Sequence, residues 1–329
     1  MPLALVTGAT GLVGANLAAA LVERGWRVRV LRRATSPTAA LADIPHEAVI
    51  GDVLDPDALA RAMQGCDVVF HVAGVSDHWR ADKRRMYQVN VEGVRLAAEA
   101  AAAARVERFV LTSSVAALGI GPHGQWRTEE DVFNVPPARF PYGHSTFLGE
   151  EELRKVIRKR GLDAVIVNPS AVLGPRDEHL GSASLILEVQ RFPLPFLPNG
   201  GMNLVYAGDV ALGHIAAAER GRKGERYILG GHNISHVELY RVIGEIIGKK
   251  VPSRLAPTWL LLACARLVDV IKPVLPSSVP LTGEIIRHAT ETFYVSTAKA
   301  DREFGLPHTP VEETVRRTVA WLKEKGYLK

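Results

Sequence analysis

Apolar and polar positions along the first half of the chain predict short buried strands separated by amphipathic helices. An apolar run opens at Leu3, passes through Thr7 into a glycine-rich turn, and is followed by helical spacing through Arg24. Further short runs rich in β-branched residues lie at 26–31, 48–50, 67–71, 107–111 and 163–167. Helical patterns fill the gaps at 56–63, in the alanine-rich stretch 91–105 and at 145–160. Strand and helix in strict alternation predict an α/β fold with a doubly wound parallel sheet of the Rossmann type, its ligand outside the carboxyl ends of the strands.

After Asn168 the regularity breaks. Residues 193–201 are rich in proline and glycine and read as loop. Strand-like pieces return at 204–206 and 226–229, after which the chain is mainly helical. Two apolar pieces returning to the sheet predict interleaved domains: 1–169 with 202–234 as a dinucleotide-binding unit, and 170–201 with 235–329 as a smaller, mainly helical substrate unit. The segment 259–271 is very apolar but carries Arg266 and Asp269 and is bounded by Pro257 and Pro273. It is too short to span a bilayer. It reads as a buried or partner-facing helix, with an interfacial membrane helix as the alternative.

Composition narrows the class only a little. The 329 residues are 47% hydrophobic and 23% charged, as in an ordinary soluble globule with ample core. The net charge of +5 is spread along the chain, which argues against nucleic acid as a partner. Cys66 and Cys264 are far apart and form no metal-ligand spacing, so no metal is expected. Both cysteines are expected to be buried in a reducing compartment, and with no signal peptide visible the expected location is cytoplasmic.

The glycine turn, Thr7-Gly8-Ala9-Thr10-Gly11-Leu12-Val13-Gly14, carries the first chemistry. Gly8 allows a tight exit from the strand, Gly11 a close approach of pyrophosphate to the helix N-terminus, and Gly14 close packing of helix on sheet. At the end of the second strand, Arg32 and Arg33 stand where an acidic residue would read a free 2′-hydroxyl. Arginine there pairs with a 2′-phosphate, so NADP is expected over NAD. Asp52 beside Val53 ends the third strand within reach of an adenine amino group. Val72, Ala73 and Gly74 end the fourth with room for the cofactor. The fifth strand ends in Thr112-Ser113-Ser114, and Tyr142 heads a later helix. A strand-end Ser and a helix-borne Tyr can share one substrate oxygen, the Tyr as proton donor.

These stretches together resemble the extended short-chain dehydrogenase/reductase superfamily, the NAD-dependent epimerase/dehydratase family, across nearly the whole chain. Within it the chain is similar to dihydroflavonol 4-reductase-like proteins and to the hopanoid-associated sugar epimerase group. The resemblance rests also on Phe70-His71-Val72-Ala73, Tyr87-Gln88-Val89-Asn90-Val91-Glu92-Gly93, Asn168-Pro169-Ser170, Gly174-Pro175-Arg176-Asp177 and Tyr227-Ile228-Leu229-Gly230-Gly231. It implies that Ser114 and Tyr142 are the catalytic pair. Asn90 then holds a structural water or a helix kink, while Asn168, Pro169 and Ser170 border the nicotinamide. Thr7, Thr10, Leu12, Val13 and Thr112 join the cofactor site, and Asp209 is structural. The loop with Ser76, His78 and Trp79 lines the substrate side, and a homodimer forms through the helices 91–105 and 145–160.

One residue departs from the pattern. The family's Tyr-x-x-x-Lys reads Tyr142-Gly143-His144-Ser145-Thr146 here. Residues i and i+4 share a helix face, so a lysine at that place can bond the ribose and lower the tyrosine's pKa. Thr146 could keep the ribose bond without the charge, and His144 points to another face. Loss of such a preorganised charge costs on the order of 3 kcal/mol of transition-state stabilisation. The expected function is NADP(H)-dependent reduction of a small ketone or aldehyde, slowed by Thr146 or rescued by another cation. The alternatives are a nucleotide-sugar epimerase or dehydratase, and a non-catalytic NADP-binding sensor or scaffold.

Overall fold

The computed structural model describes residues 1–76, 82–121, 125–191, 196–252, 254–272 and 283–328. Seven parallel strands form the central sheet: β1 (Leu3–Thr7), β2 (Arg27–Arg32), β3 (Glu47–Ile50), β4 (Val68–His71), β5 (Arg108–Thr112), β6 (Ala164–Pro169) and, after two strands of another sheet, β9 (Arg226–Leu229). Their order is β3-β2-β1-β4-β5-β6-β9, with the direction of winding reversing between β1 and β4. This is the Rossmann arrangement expected from the alternation.

Helices cover both faces. Ala4 and Val6 of β1 face a core shared with α1 (Leu12–Glu23), while Leu3 and Leu5 face one shared with α2 (Pro56–Met63). The short helix α3 (Lys83–Tyr87) runs through a π-helical turn, Gln88–Gly93, into α4 (Val94–Ala104). The helical pattern at 91–105 is therefore interrupted at its head, where Asn90 sits inside the π turn. Helix α5 (Pro141–Arg160) begins four residues before the predicted start. Pro141 fits the first turn, whose N–H groups lack intrahelical partners anyway, so the helix reaches back to include Tyr142.

A second, smaller sheet lies beyond. Strand β8 (Gly201–Tyr206) pairs in parallel with β7 (Ala171–Leu173) and β11 (Thr292–Phe293), and antiparallel with β10 (His232–Ser235). Of the two apolar pieces expected to rejoin the main sheet, only β9 does so. Period-2 patterning shows that 204–206 is a buried strand but not which neighbour it meets. Around this sheet pack α6 (Ser184–Arg191), α8 (His236–Ile247) and α12 (Val311–Glu324), while α7 (Ala207–Arg220) and α11 (Ala298–Phe304) return to the central sheet.

The apolar segment at 259–271 forms α9 (Thr258–Ile271), packed along α10 (Gly283–Ala289). The expectation that it is buried is overturned. Only Ala265 and Val268 of α9 are buried, whereas Trp259 is 71% and Val270 75% exposed. Cys264 on the same helix is exposed, and of the two cysteines only Cys66 is buried. No helix among the described residues is long and apolar enough to cross a membrane.

Candidate active site

The loop from β1 to α1 meets the end of β4 at close range. Gly8 has φ of +68°, and a Cβ on it would lie 2.7 Å from the Ala73 nitrogen. A Cβ on Gly14 would lie 2.4 Å from the Gly8 carbonyl oxygen, so helix and turn pack too closely for any side chain there. Gly11 differs: its Cβ would meet only Gly8 O, at 3.5 Å, an ordinary contact. Packing within the protein therefore does not demand glycine at 11, and a backbone this open is one that a ligand can approach closely. Gly11 caps α1 without a side-chain bond, so the first-turn N–H groups around Leu12 and Val13 are available to an anion. Thr10 is half-buried in the same turn.

At the end of β2, the Arg32 Nε is buried and has no hydrogen-bond partner, an unmet donor of the kind a bound ligand satisfies. Arg33 is exposed. Asp52 is already engaged: its carboxylate accepts from the Leu54 N–H at 3.0 Å and binds Arg85 at 2.7 Å. Sequence reasoning missed Arg85, which reaches from α3 and brings a further guanidinium to this end of the sheet. Val53 is buried in the core beside it.

Two threonines expected at the cofactor carry hydrogen bonds to the scaffold. The Thr7 hydroxyl accepts from the Ala73 N–H at 3.2 Å and bonds His71 Nδ1 at 3.1 Å. Thr112 bonds His214 Nε2 at 2.8 Å, while His214 Nδ1 lies 2.7 Å from the Val210 carbonyl. Since that carbonyl can only accept, Nδ1 carries the proton and Nε2 accepts from Thr112. Burial lowers both His71 and His214 to about 4, so each ring is neutral. Val72 and Gly74 follow β4 at the mouth of the site, and Ser76 is exposed. His78 and Trp79, with Asp77 and Arg80, lie outside the described residues.

The two residues expected to form the catalytic pair are brought together. The Tyr142 phenol hydrogen-bonds the Ser114 side chain. Burial raises the phenol's pKa, opposed by that bond. Ser114 Oγ also accepts from the Ala116 N–H at 3.1 Å, which fixes its lone pairs. Thr146 stands on the Tyr142 face of α5, but its hydroxyl donates to the carbonyls of Tyr142 (3.1 Å) and Gly143 (3.0 Å). The hydroxyl proton is engaged within the helix, which leaves the lone pairs of Thr146 to accept from a ribose hydroxyl. His144 points away, its Nδ1 2.8 Å from the Tyr87 hydroxyl.

Behind the pair lies a buried polar cluster. Glu150 is fully buried, and its carboxylate accepts from Ser113 Oγ (2.6 Å), Asn168 Nδ2 (2.8 Å) and Arg226 Nε (2.5 Å). Asn168 Nδ2 also donates to the Ser114 carbonyl at 2.9 Å, so the cluster sets the backbone that carries Ser114. The Asn168 Oδ1 and Ser170 Oγ atoms are buried without partners on either side of Pro169, again as a ligand would require. Asn90 spans Val75 and Ser145: it accepts from the Val75 N–H at 2.8 Å and donates to Ser145 Oγ at 3.0 Å. Asp209 accepts from the Thr309 N–H at 2.7 Å and is structural.

The chain is similar to known proteins over nearly its whole length. The sequence pattern of the NAD dependent epimerase/dehydratase family matches residues 4–230. A Synechocystis protein provisionally named dihydroflavonol 4-reductase is 38% identical, over 98% of this chain and 95% of its own. Sterol demethylase protein B of Methylococcus capsulatus is 31% identical, over 98% of this chain and 99% of its own. The crystal structure of a nucleoside-diphosphate-sugar epimerase from Pseudomonas aeruginosa superposes with a TM-score of 0.82 at 26% identity, over 100% of this chain and 99% of that one.

Proposed function

We propose, from the premise that the chain belongs to the NAD dependent epimerase/dehydratase family, that it is an NADP(H)-dependent reductase of an apolar ketone or aldehyde. The observation that carries this reading is the hydrogen bond between Tyr142 and Ser114 at the carboxyl end of the sheet, beside the glycine turn. The unmet donor on Arg32 supports NADP over NAD. Residues 1–169 with 202–234 would hold the cofactor, and 170–201 with 235–329 the substrate.

A bound reduced nicotinamide supplies the hydride. Arg32 would hold the 2′-phosphate, and Asn168 and Ser170 would meet the nicotinamide end with their unpaired oxygens. Tyr142 gives its phenolic proton to the substrate oxygen as that oxygen gains negative charge. Ser114 holds the same oxygen in line. The Glu150 cluster fixes Ser114 through Asn168. Burial keeps the phenol protonated, and Thr146 adds no charge to ease the proton's departure. The described surroundings of Tyr142 are aromatic: Phe140 lies 6.5 Å from it, centroid to centroid, and Phe293 lies 6.1 Å beyond Phe140. Phe140 is buried in the apolar cluster on which Tyr142 and Phe293 pack, and an apolar surround of this kind suits an apolar carbonyl compound better than a sugar diphosphate.

The test is NADPH oxidation against a panel of carbonyl compounds by the native chain and by Thr146→Lys. Turnover by either supports the reductase; NADPH binding without turnover in both overturns it. The second reading, a sugar epimerase or dehydratase, is favoured by the Pseudomonas structure. Tightly held NAD in the purified protein would select it.

A further inference from the structure

We propose that α9 is a docking helix that lies in the surface of an anionic lipid bilayer. The helix makes contact with the rest of the protein through a narrow stripe, with Ala265 and Val268 buried. Around the remainder of its circumference, Trp259 (71%), Leu267 (60%) and Val270 (75%) are largely exposed, with Leu260 and Leu262 also open. Phe196 and Leu255 are also exposed, on segments hydrogen-bonded to each other at the approach to α9 through Arg254 O and the Ala256 N–H. Exposed large apolar side chains in this number on one helix and its approach are unusual on a protein that meets only water.

Charge identifies the occupant. Between residues 250 and 272 the sequence places Lys250, Arg254, Arg266 and Lys272 against a single acid, Asp269, while Lys249 is bonded to the Gln190 carbonyl. That acid is itself bonded to Arg287, at 2.7 Å. Basic flanks around an exposed Trp- and Leu-bearing helix complement acidic headgroups above an acyl layer. A second copy of the chain fits poorly, since a two-fold contact would press these cations against their own counterparts. Exposure on most of the circumference, rather than along one stripe, also suits a fluid layer that closes around a convex helix. At fourteen residues the helix is about 21 Å long, too short to span the hydrocarbon and suited to lying along it.

The helix is close to the chemistry. It packs along α10, whose His288 ring lies 4.8 Å from Phe140, the neighbour of Tyr142. Docking would thus set the substrate side of the site against the membrane surface, from which an apolar carbonyl compound could enter. The docking itself does not depend on the reductase reading.

The experiment uses the full chain with phosphatidylcholine vesicles, alone or containing about one-third phosphatidylglycerol. Cys264, exposed where Cys66 is buried, takes an environment-sensitive fluorophore. The expected result is co-sedimentation with the anionic vesicles, a blue shift of the label, and weakening of both by salt. The double variant Leu267→Glu/Val270→Glu should lose roughly tenfold or more in vesicle affinity while keeping its thermal midpoint and its NADPH binding. No sedimentation with either vesicle, equal sedimentation with both, or a concentration-dependent dimer abolished by the double variant without vesicle binding would overturn the proposal. Vesicle binding by a chain that reduces no carbonyl would leave the docking intact and remove only the reductase.

Discussion

The Thr146 hydroxyl donates to the carbonyl oxygen of Tyr142, 3.1 Å away, so the residue four places after that tyrosine is turned into the helix backbone. The helix face is preserved while the charge is lost. Tyr142 then titrates under burial alone, opposed only by its bond to Ser114, and its pKa is raised.

The first prediction follows from that raised pKa. Reduction needs the protonated phenol, so the native rate should stay flat through neutral pH and fall only in the alkaline range. Thr146→Lys places a cation on the same face, lowers the phenol's pKa and moves the alkaline break to lower pH. It should also raise kcat by about a hundredfold, the equivalent of on the order of 3 kcal/mol. Steady-state kinetics across pH, for both chains, check the shift and its sign.

The second concerns the cofactor. Arg32→Ala removes a half-buried guanidinium whose buried Nε lacks a partner. A charge-assisted bond of about 1.5–3 kcal/mol corresponds to roughly ten- to a hundredfold in affinity. Weaker NADPH binding by that factor is expected, with NADH binding little changed, as read by fluorescence titration. Equal loss for both cofactors would place Arg32 away from the 2′-phosphate.

The third prediction rests on Glu150, which accepts from Ser113, Asn168 and Arg226 with no exposure of its own. Glu150→Leu leaves the Arg226 guanidinium buried without its carboxylate, and breaking a buried pair costs about 3–5 kcal/mol. The double variant Glu150→Leu/Arg226→Met should recover much of that stability in urea unfolding. It should not recover reductase activity, because Asn168 would still lack the acceptor that orients it toward Ser114.

Glu150 also marks the boundary of what the chain discloses without coordinates. Tyr142, Thr146 and Glu150 fall at i, i+4 and i+8 of one helix, a phase that points all three at the sheet. The signal was present, but nothing local says that Arg226, seventy-six residues on, would meet it. The glycine turn was legible because most of its causes are local: the positive φ of Gly8 and the packing of Gly14 on the Gly8 carbonyl fall within seven residues, and only the approach of Gly8 to Ala73 is long-range. The resemblance put Thr7 and Thr112 at the cofactor and was silent on what else they bond. Their partners, His71 and His214, come from β4 and α7, and such pairings are set by tertiary packing. The same reason hid the second sheet around β8. For α9, apolarity was plain in the sequence, but a helix apolar on nearly all sides reads as core until its neighbours are known.

The last prediction uses the buried histidines. His71, His214 and His236 are lowered by burial from 6.5 to about 4. In the unfolded chain each takes up a proton near pH 6.5, whereas in the folded chain it does so only near 4. Their folded pKa values lie below the unfolded ones, so folding is at full strength above about pH 6.5. Stability is then lost progressively as pH falls toward 4, because the unfolded state binds more protons throughout that window. The loss approaches about 3 kcal/mol per histidine at its lower end. Urea midpoints at a series of pH values from neutral to mildly acidic should fall along this course. Substituting His214 by Gln, whose amide can donate to Val210 O and accept from Thr112, should flatten the acid limb by that residue's share. Its cost at neutral pH should be smaller than that of His214→Leu, which leaves both partners unpaired in the core.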